Sequence, residues 1–156
     1  MPSLQRRGPA VLTRPDDAKG RPVMLATMDV PFASDAVVFA VDSAVELGQR
    51  LIIANFVERA PLPLSAMLGY DDLPDRPELT DSLLAPVALA QALGLEVTRL
   101  RVKSFHPVQA MLEVLSEESP GIFVFGPDRR RIGRLRYLRA MRAIRSRAAA
   151  LVWLAE

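Results

Sequence analysis

VMLATMDV, residues 23–30, is apolar at every position except Thr27 and Asp29. A run of this kind, with its polar residues only towards the carboxyl end, predicts a strand buried on both faces of a parallel sheet. The residues around it repeat the pattern. After Pro31, Ser34 or Asp35 is placed to cap a helix that runs to about Leu47, and Gly48 is its left-handed stop. Val37, Val41, Ala44 and Val45 give that helix one apolar face. RLIIANFV, residues 50–57, is a second strand, LEVTRLRVK, residues 95–103, a third, and GIFVFG, residues 121–126, a fourth. The third changes phase between Val97 and Leu100, which predicts an edge strand with a bulge.

Helices alternate with these strands. Thr80 is placed to cap one that ends near Gly94, with Pro86 tolerable close to its first turn. In the next, Pro107 opens a stripe of Val108, Met111, Leu112 and Leu115, and Pro120-Gly121 closes it. The last holds Tyr137, Ala140, Met141 and Ile144 on one side and Arg136, Arg139, Arg142 and Arg145 on the other. ALVWLAE, from Ala149, supplies a fifth strand. The order βαβαβαβαβ implies an α/β fold with an open, mostly parallel sheet covered on both faces. Residues 1–20 show no sustained apolar period and are read as a flexible N-terminal arm ahead of a single domain over 21–156. The connection 58–79, with Pro61, Pro63, Pro74 and Pro77 among Asp71, Asp72 and Asp75, is an irregular surface insertion.

At 156 residues, half of them hydrophobic, one core is expected. The chain has no cysteine, which excludes disulfides, thiolate metal sites and a cysteine nucleophile. It also lacks an apolar run long enough for a signal peptide or a membrane span, so a cytoplasmic location is expected. The net charge of +2 conceals an asymmetry: residues 1–118 hold 11 basic and 16 acidic side chains, and residues 119–156 hold 9 and 2. The two parts therefore carry −5 and +7. All nine basic residues of the second part are arginines, between Arg129 and Arg147. That block suits a phosphate clamp, a nucleic-acid backbone or simply a solvated helix face.

The strand ending in Asp29, the apolar helix after it, the strand ending in Asn55-Phe56-Val57 and the closing strand-loop-helix-strand resemble the universal stress protein family over about residues 21–156. The resemblance implies a five-stranded sheet of order 3-2-1-4-5 with a nucleotide crevice at the carboxyl ends of strands 1 and 4, the topological switch point. Members that bind ATP have a loop of the form G-x2-G-x9-G-[ST] after strand 4, whose glycine amides close on phosphates. Here Gly126 matches the first glycine and Arg129 stands at the second. Tyr137 and Leu138 fall on the terminal pair, and Gly133 fits only after a register shift. By this resemblance Asp29 contacts the nucleoside, and Val57 or Phe56 packs on the adenine.

The chain resembles the branch of the family without an intact ATP motif. The resemblance implies a regulatory or ligand-sensing module rather than a tight ATP binder or an enzyme. It further implies a homodimer formed through the C-terminal strand near Trp153. Three readings of the site stay open. One is this module. Another is an adenine-nucleotide binder or slow ATPase, possible ligand ATP, using Asp29, Val57, Gly126, Arg129, Arg130, Arg131 and Gly133. The third is an anion or nucleic-acid face formed by Arg136, Arg139, Arg142 and Arg145. For Asp29 itself a helix-capping role competes with a ligand role. Nucleic acid is the less favoured partner, because among 9 aromatic residues only Tyr137 lies among the arginines. His106, the single histidine, precedes Pro107 at the crevice edge and reads as an exposed or capping residue. The acidic residues Asp71, Asp72, Asp75 and Glu78 match no metal-loop spacing, and no metal site is expected.

Overall fold

In a computed structural model, residues 20–59, 77–147 and 150–154 are described. The expected arm, most of the insertion 58–79, and Ala149 lie outside them. The elements are β1 (Val23–Thr27), α1 (Ser34–Leu47), β2 (Leu51–Glu58), α2 (Pro77–Ala92), β3 (Val97–Ser104), α3 (Pro107–Glu118), β4 (Ile122–Phe125), α4 (Arg134–Arg147) and β5 (Leu151–Leu154). All strand pairs are parallel and the order is β3-β2-β1-β4-β5, as expected.

Side chains alternate across a strand, so the sheet divides its apolar residues between two layers. Met24, Ala26, Ile52, Ala54, Phe56, Phe123 and Phe125 pack under α3 and α4, together with Met111, Leu115, Tyr137 and Ile144. Val23, Leu25, Leu51, Ile53, Val124 and Trp153 pack under α1 and α2. β1 is buried at all five positions. An ion pair, Arg50 with Glu118 at 3.2 Å, ties β2 to the end of α3. A half-exposed pair of this kind contributes about 1 kcal/mol at most, whereas each fully buried Leu or Phe contributes about 1.5–3 kcal/mol. The two apolar layers therefore dominate.

Several local expectations are corrected. β1 ends at Thr27, and Asp29 lies beyond it with φ of 56°. The N-cap of α1 is Ala33, so neither Ser34 nor Asp35 is the cap residue. The Asp35 carboxylate instead accepts from the Ala36 N–H at 3.0 Å. The buried face of α1 is Ala36, Ala40, Val41, Ser43 and Ala44, while Val45 is exposed. Small residues win this face because α1 lies close on the sheet. α2 starts at Pro77 rather than at Thr80 and carries Pro86 in its interior, where the ring leaves the carbonyl of Ser82 without its helical donor. β3 is an edge strand as expected, but its ladder to β2 is unbroken over eight pairs and contains no bulge. Gly48 and Gly94 both take the left-handed conformation that ends α1 and α2.

Gly126 has a steric reason to be glycine. A Cβ placed there would lie 2.3 Å from the Cβ of Ala36, so the residue lets the first turn of α1 rest on the end of β4. Gly126→Ala should destabilise the fold by about 1–3 kcal/mol, the usual cost of overpacking, read as a lowered midpoint in urea unfolding.

Candidate functional site

β1, β2 and β4 run parallel, so the loops that leave them emerge on one edge of the sheet, where the strand order reverses. This edge receives Asp29, Val57, Gly126, Arg129, Arg130, Arg131 and Gly133. The loop after β1 is shaped by two buried polar side chains. The Thr27 hydroxyl donates to the carbonyl of Val30 at 2.8 Å. The N–H of Asp29 donates to Oδ1 of Asn55 at 2.8 Å. An aspartate tolerates the left-handed backbone better than most residues, and Asn55 holds it there.

The loop after β4 is tied to the loop after β1. Phe32 and Pro127 form an antiparallel bridge. The Ala33 N–H donates to the Gly126 carbonyl at 2.9 Å, and the Asp128 N–H donates to the Pro31 carbonyl at 2.8 Å. Within the β4–α4 loop the Asp128 carboxylate accepts from the Arg130 N–H at 2.9 Å. The Asp128 carbonyl accepts from the N–H groups of Arg131 and Ile132, each at 3.0 Å. Four amides of the β4–α4 loop are thus already bonded within the protein, and one faces an anionic side chain of the loop itself.

The arginines and glycines separate in space. The Arg129 guanidinium lies over the Tyr137 ring, 3.6 Å from its centroid. Tyr137 also stacks on Phe125, with centroids 5.8 Å apart, and is 1% exposed. The position that a glycine would occupy in the ATP-type loop is therefore filled by a core ring. Arg130 and Arg131 are exposed. Gly133 stands just before α4, and its carbonyl accepts from the Tyr137 N–H at 2.9 Å; a Cβ there would meet only Arg136, at 3.9 Å. Phe56 is buried in the layer under α3 and α4, whereas Val57, the next residue, belongs to the opposite face of β2 and is half-buried. Only Val57 keeps any surface for a ligand.

His106 is the N-cap residue of α3, but its side chain makes no capping bond; its N–H donates to Ser104 Oγ at 3.0 Å. Arg136, Arg139 and Arg142 line a groove between α3 and α4, while Arg145 is half-buried beyond it. Asp71, Asp72 and Asp75 lie outside the described residues. Among the described residues no group of three acidic or histidine side chains is placed to hold a metal ion, and no helix is long and apolar enough to cross a membrane.

The residue that sequence reading passed over is Asn55. It is 3% exposed and pairs with Thr27 in the ladder; its buried Nδ2 has no hydrogen-bond partner among the described residues. A polar residue inside an otherwise apolar strand was the available signal. Asn55→Ala should cost about 1–3 kcal/mol, since the Asp29 N–H loses its buried acceptor. The check is a denaturation midpoint, accompanied by a changed amide resonance for Asp29.

No protein-family model and no curated protein sequence matches the chain. Solved structures do. A universal stress protein in complex with cAMP is 21% identical, covering 87% of this chain and 96% of its own, with a TM-score of 0.53. A universal stress protein from Archaeoglobus fulgidus is 16% identical, covering 90% and 97%, with a TM-score of 0.58. A universal stress protein from Archaeoglobus fulgidus in complex with dAMP is 14% identical, covering 87% and 98%, with a TM-score of 0.56. With the strand order, the four flanking helices and the switch-point edge, these likenesses give the chain the universal stress protein fold.

Proposed function

We propose that the protein is a ligand-sensing regulatory module of the universal stress protein type, acting as a homodimer and holding ATP weakly. The observation that carries this reading is the self-bonded β4–α4 loop. Phosphate binding at such a loop relies on free, convergent amides, and here the amides of Asp128, Arg130, Arg131 and Ile132 donate to protein oxygens. The Asp128 carboxylate opposes an incoming anion as well. An adenine mononucleotide is the second reading. It is supported by the cAMP and dAMP complexes of the same fold and by the position of Asp29 and Val57 on the switch-point edge. Arg130 and Arg131 would then supply the charge that the missing glycine amides do not.

The dimer rests on β5. It ends the sheet order, so one side of its backbone is open to pairing with a second copy. On α4, the helix that leads into it, Leu135 is 77% exposed and Leu138 38%. The indole of Trp153 is 7% exposed and stacks on Phe39 at 5.5 Å. The pairing would therefore use the backbone edge of the strand, not that ring.

Isothermal titration should give ATP an affinity of about 100 μM or weaker, roughly −5.5 kcal/mol. Asp128→Ala, which frees the Arg130 amide and removes a negative charge, should tighten it about fivefold, the equivalent of roughly 1 kcal/mol. Low-micromolar binding by the unaltered protein, or no gain in Asp128→Ala, overturns the weak-ATP reading. Loss of mononucleotide binding in Asp29→Ala supports the second. Sedimentation at micromolar concentration should find a dimer that Leu135→Asp weakens; a monomer overturns that part.

A further inference from the structure

The groove between α3 and α4 is about 940 Å³ in volume; no residue of 126–133 lines it, while Met28 of the loop after β1 and Glu58 at the end of β2 do. Val108 and Leu112 of α3 and Ala143 of α4 contribute apolar surface. Phe105, 52% exposed, and the adjoining His106 also line the groove. Arg136, Arg139 and Arg142 form the wall on α4, with Arg147 further along, against one lining carboxylate, Glu58. Among the described residues, Arg136, Arg139 and Arg142 make no ion pair or side-chain hydrogen bond. Like charges three residues apart on a helix repel by a few tenths of a kcal/mol per pair. A solvated face would account for the arginines but not for the apolar surface beneath them.

We infer that this groove receives an amphipathic helix of a partner protein whose acidic side faces Arg136, Arg139 and Arg142 while its apolar side settles on Val108, Leu112 and Phe105. The match is one of period and charge. Three residues of helix rise about 4.5 Å, so the arginine row repeats at the interval at which Glu or Asp at i and i+3 recurs on another helix. The same occupant has its leucines at i+4 and i+7, the spacing by which helices enter apolar grooves. A single nucleic-acid strand fits less well. Such strands stack successive bases on successive aromatic rings, whereas the groove offers Phe105, over which the Arg59 guanidinium already lies at 5.7 Å from the centroid. The inference goes beyond the nucleotide question, since the side chains it assigns to the partner, Phe105, Val108, Leu112, Arg136, Arg139 and Arg142, all lie outside the β1–α1 and β4–α4 loops.

The test uses the full chain and a fluorescein-labelled helical peptide of about 15 residues with Glu and Leu recurring at i, i+3, i+4 and i+7. Its comparators are a scrambled peptide of the same composition, a version with Lys for Glu, labelled oligothymidylate, and ATP as competitor. Fluorescence anisotropy should show micromolar binding of the ordered acidic peptide, about tenfold weaker binding of the scrambled one, and weakening with salt. The double variant Arg139→Glu with Arg142→Glu should lose about tenfold for the acidic peptide and gain for the lysine version. Phe105→Ser, at an exposed position, should weaken the acidic peptide several-fold with the melting temperature unchanged. Equal binding of ordered and scrambled peptides, indifference to the arginine reversals, or tighter binding of oligothymidylate or ATP at these arginines overturns the inference.

Discussion

The bridge between Phe32 and Pro127, with the hydrogen bonds from Ala33 to Gly126 and from Asp128 to Pro31, joins the two loops that leave the centre of the sheet. Because β1 and β4 are neighbours in a parallel sheet, their loops emerge side by side. In this chain they pair with each other. That pairing sets the entry of α1, whose first turn rests on Gly126, and it holds Asp128 where its carboxylate and carbonyl collect the following amides. The backbone tie, together with the Asp128 carboxylate, thus leaves fewer free amides at this edge.

Much of the fold was legible because its signals are local. The apolar run at Val23–Thr27 needs both faces covered, and the stripe Val108, Met111, Leu112, Leu115 has one solution as a helix. The misread points each depend on a contact made elsewhere. The phase change in β3 suggested a bulge, yet Arg99 and Arg101 can stand exposed on an edge strand without disturbing the ladder. Pro86 looked confined to a first turn, but burial of Leu79, Leu83 and Val87 beside it offsets the loss of one helical hydrogen bond. On α1 the expected face holds at Val37, Val41 and Ala44, but Val45 turns outward and Ala36 and Ala40 complete the buried side.

The site was less legible than the fold. Asp29 could be singled out as polar at a strand end, but its left-handed backbone depends on Asn55, 26 residues later. Gly126 resembled a phosphate-loop glycine, and its observed constraint is the Cβ of Ala36. A glycine at such a position can thus be required by packing alone. Arg129 likewise drew attention for its charge, while the structure lays it on Tyr137, where a guanidinium stacks as a flat, weakly hydrated plate. Phe105 and the α4 arginines meet only in three dimensions, more than thirty positions apart.

The stack of Trp153 on Phe39 has a further consequence. It is the single tryptophan of the chain, and it sits at the junction of the final strand with α1. Its fluorescence therefore reports one event, the docking of the C-terminal strand onto the sheet. Emission shifting to longer wavelength before helical circular dichroism falls would identify that strand as the first element to detach, an optical gauge built into the fold without a label.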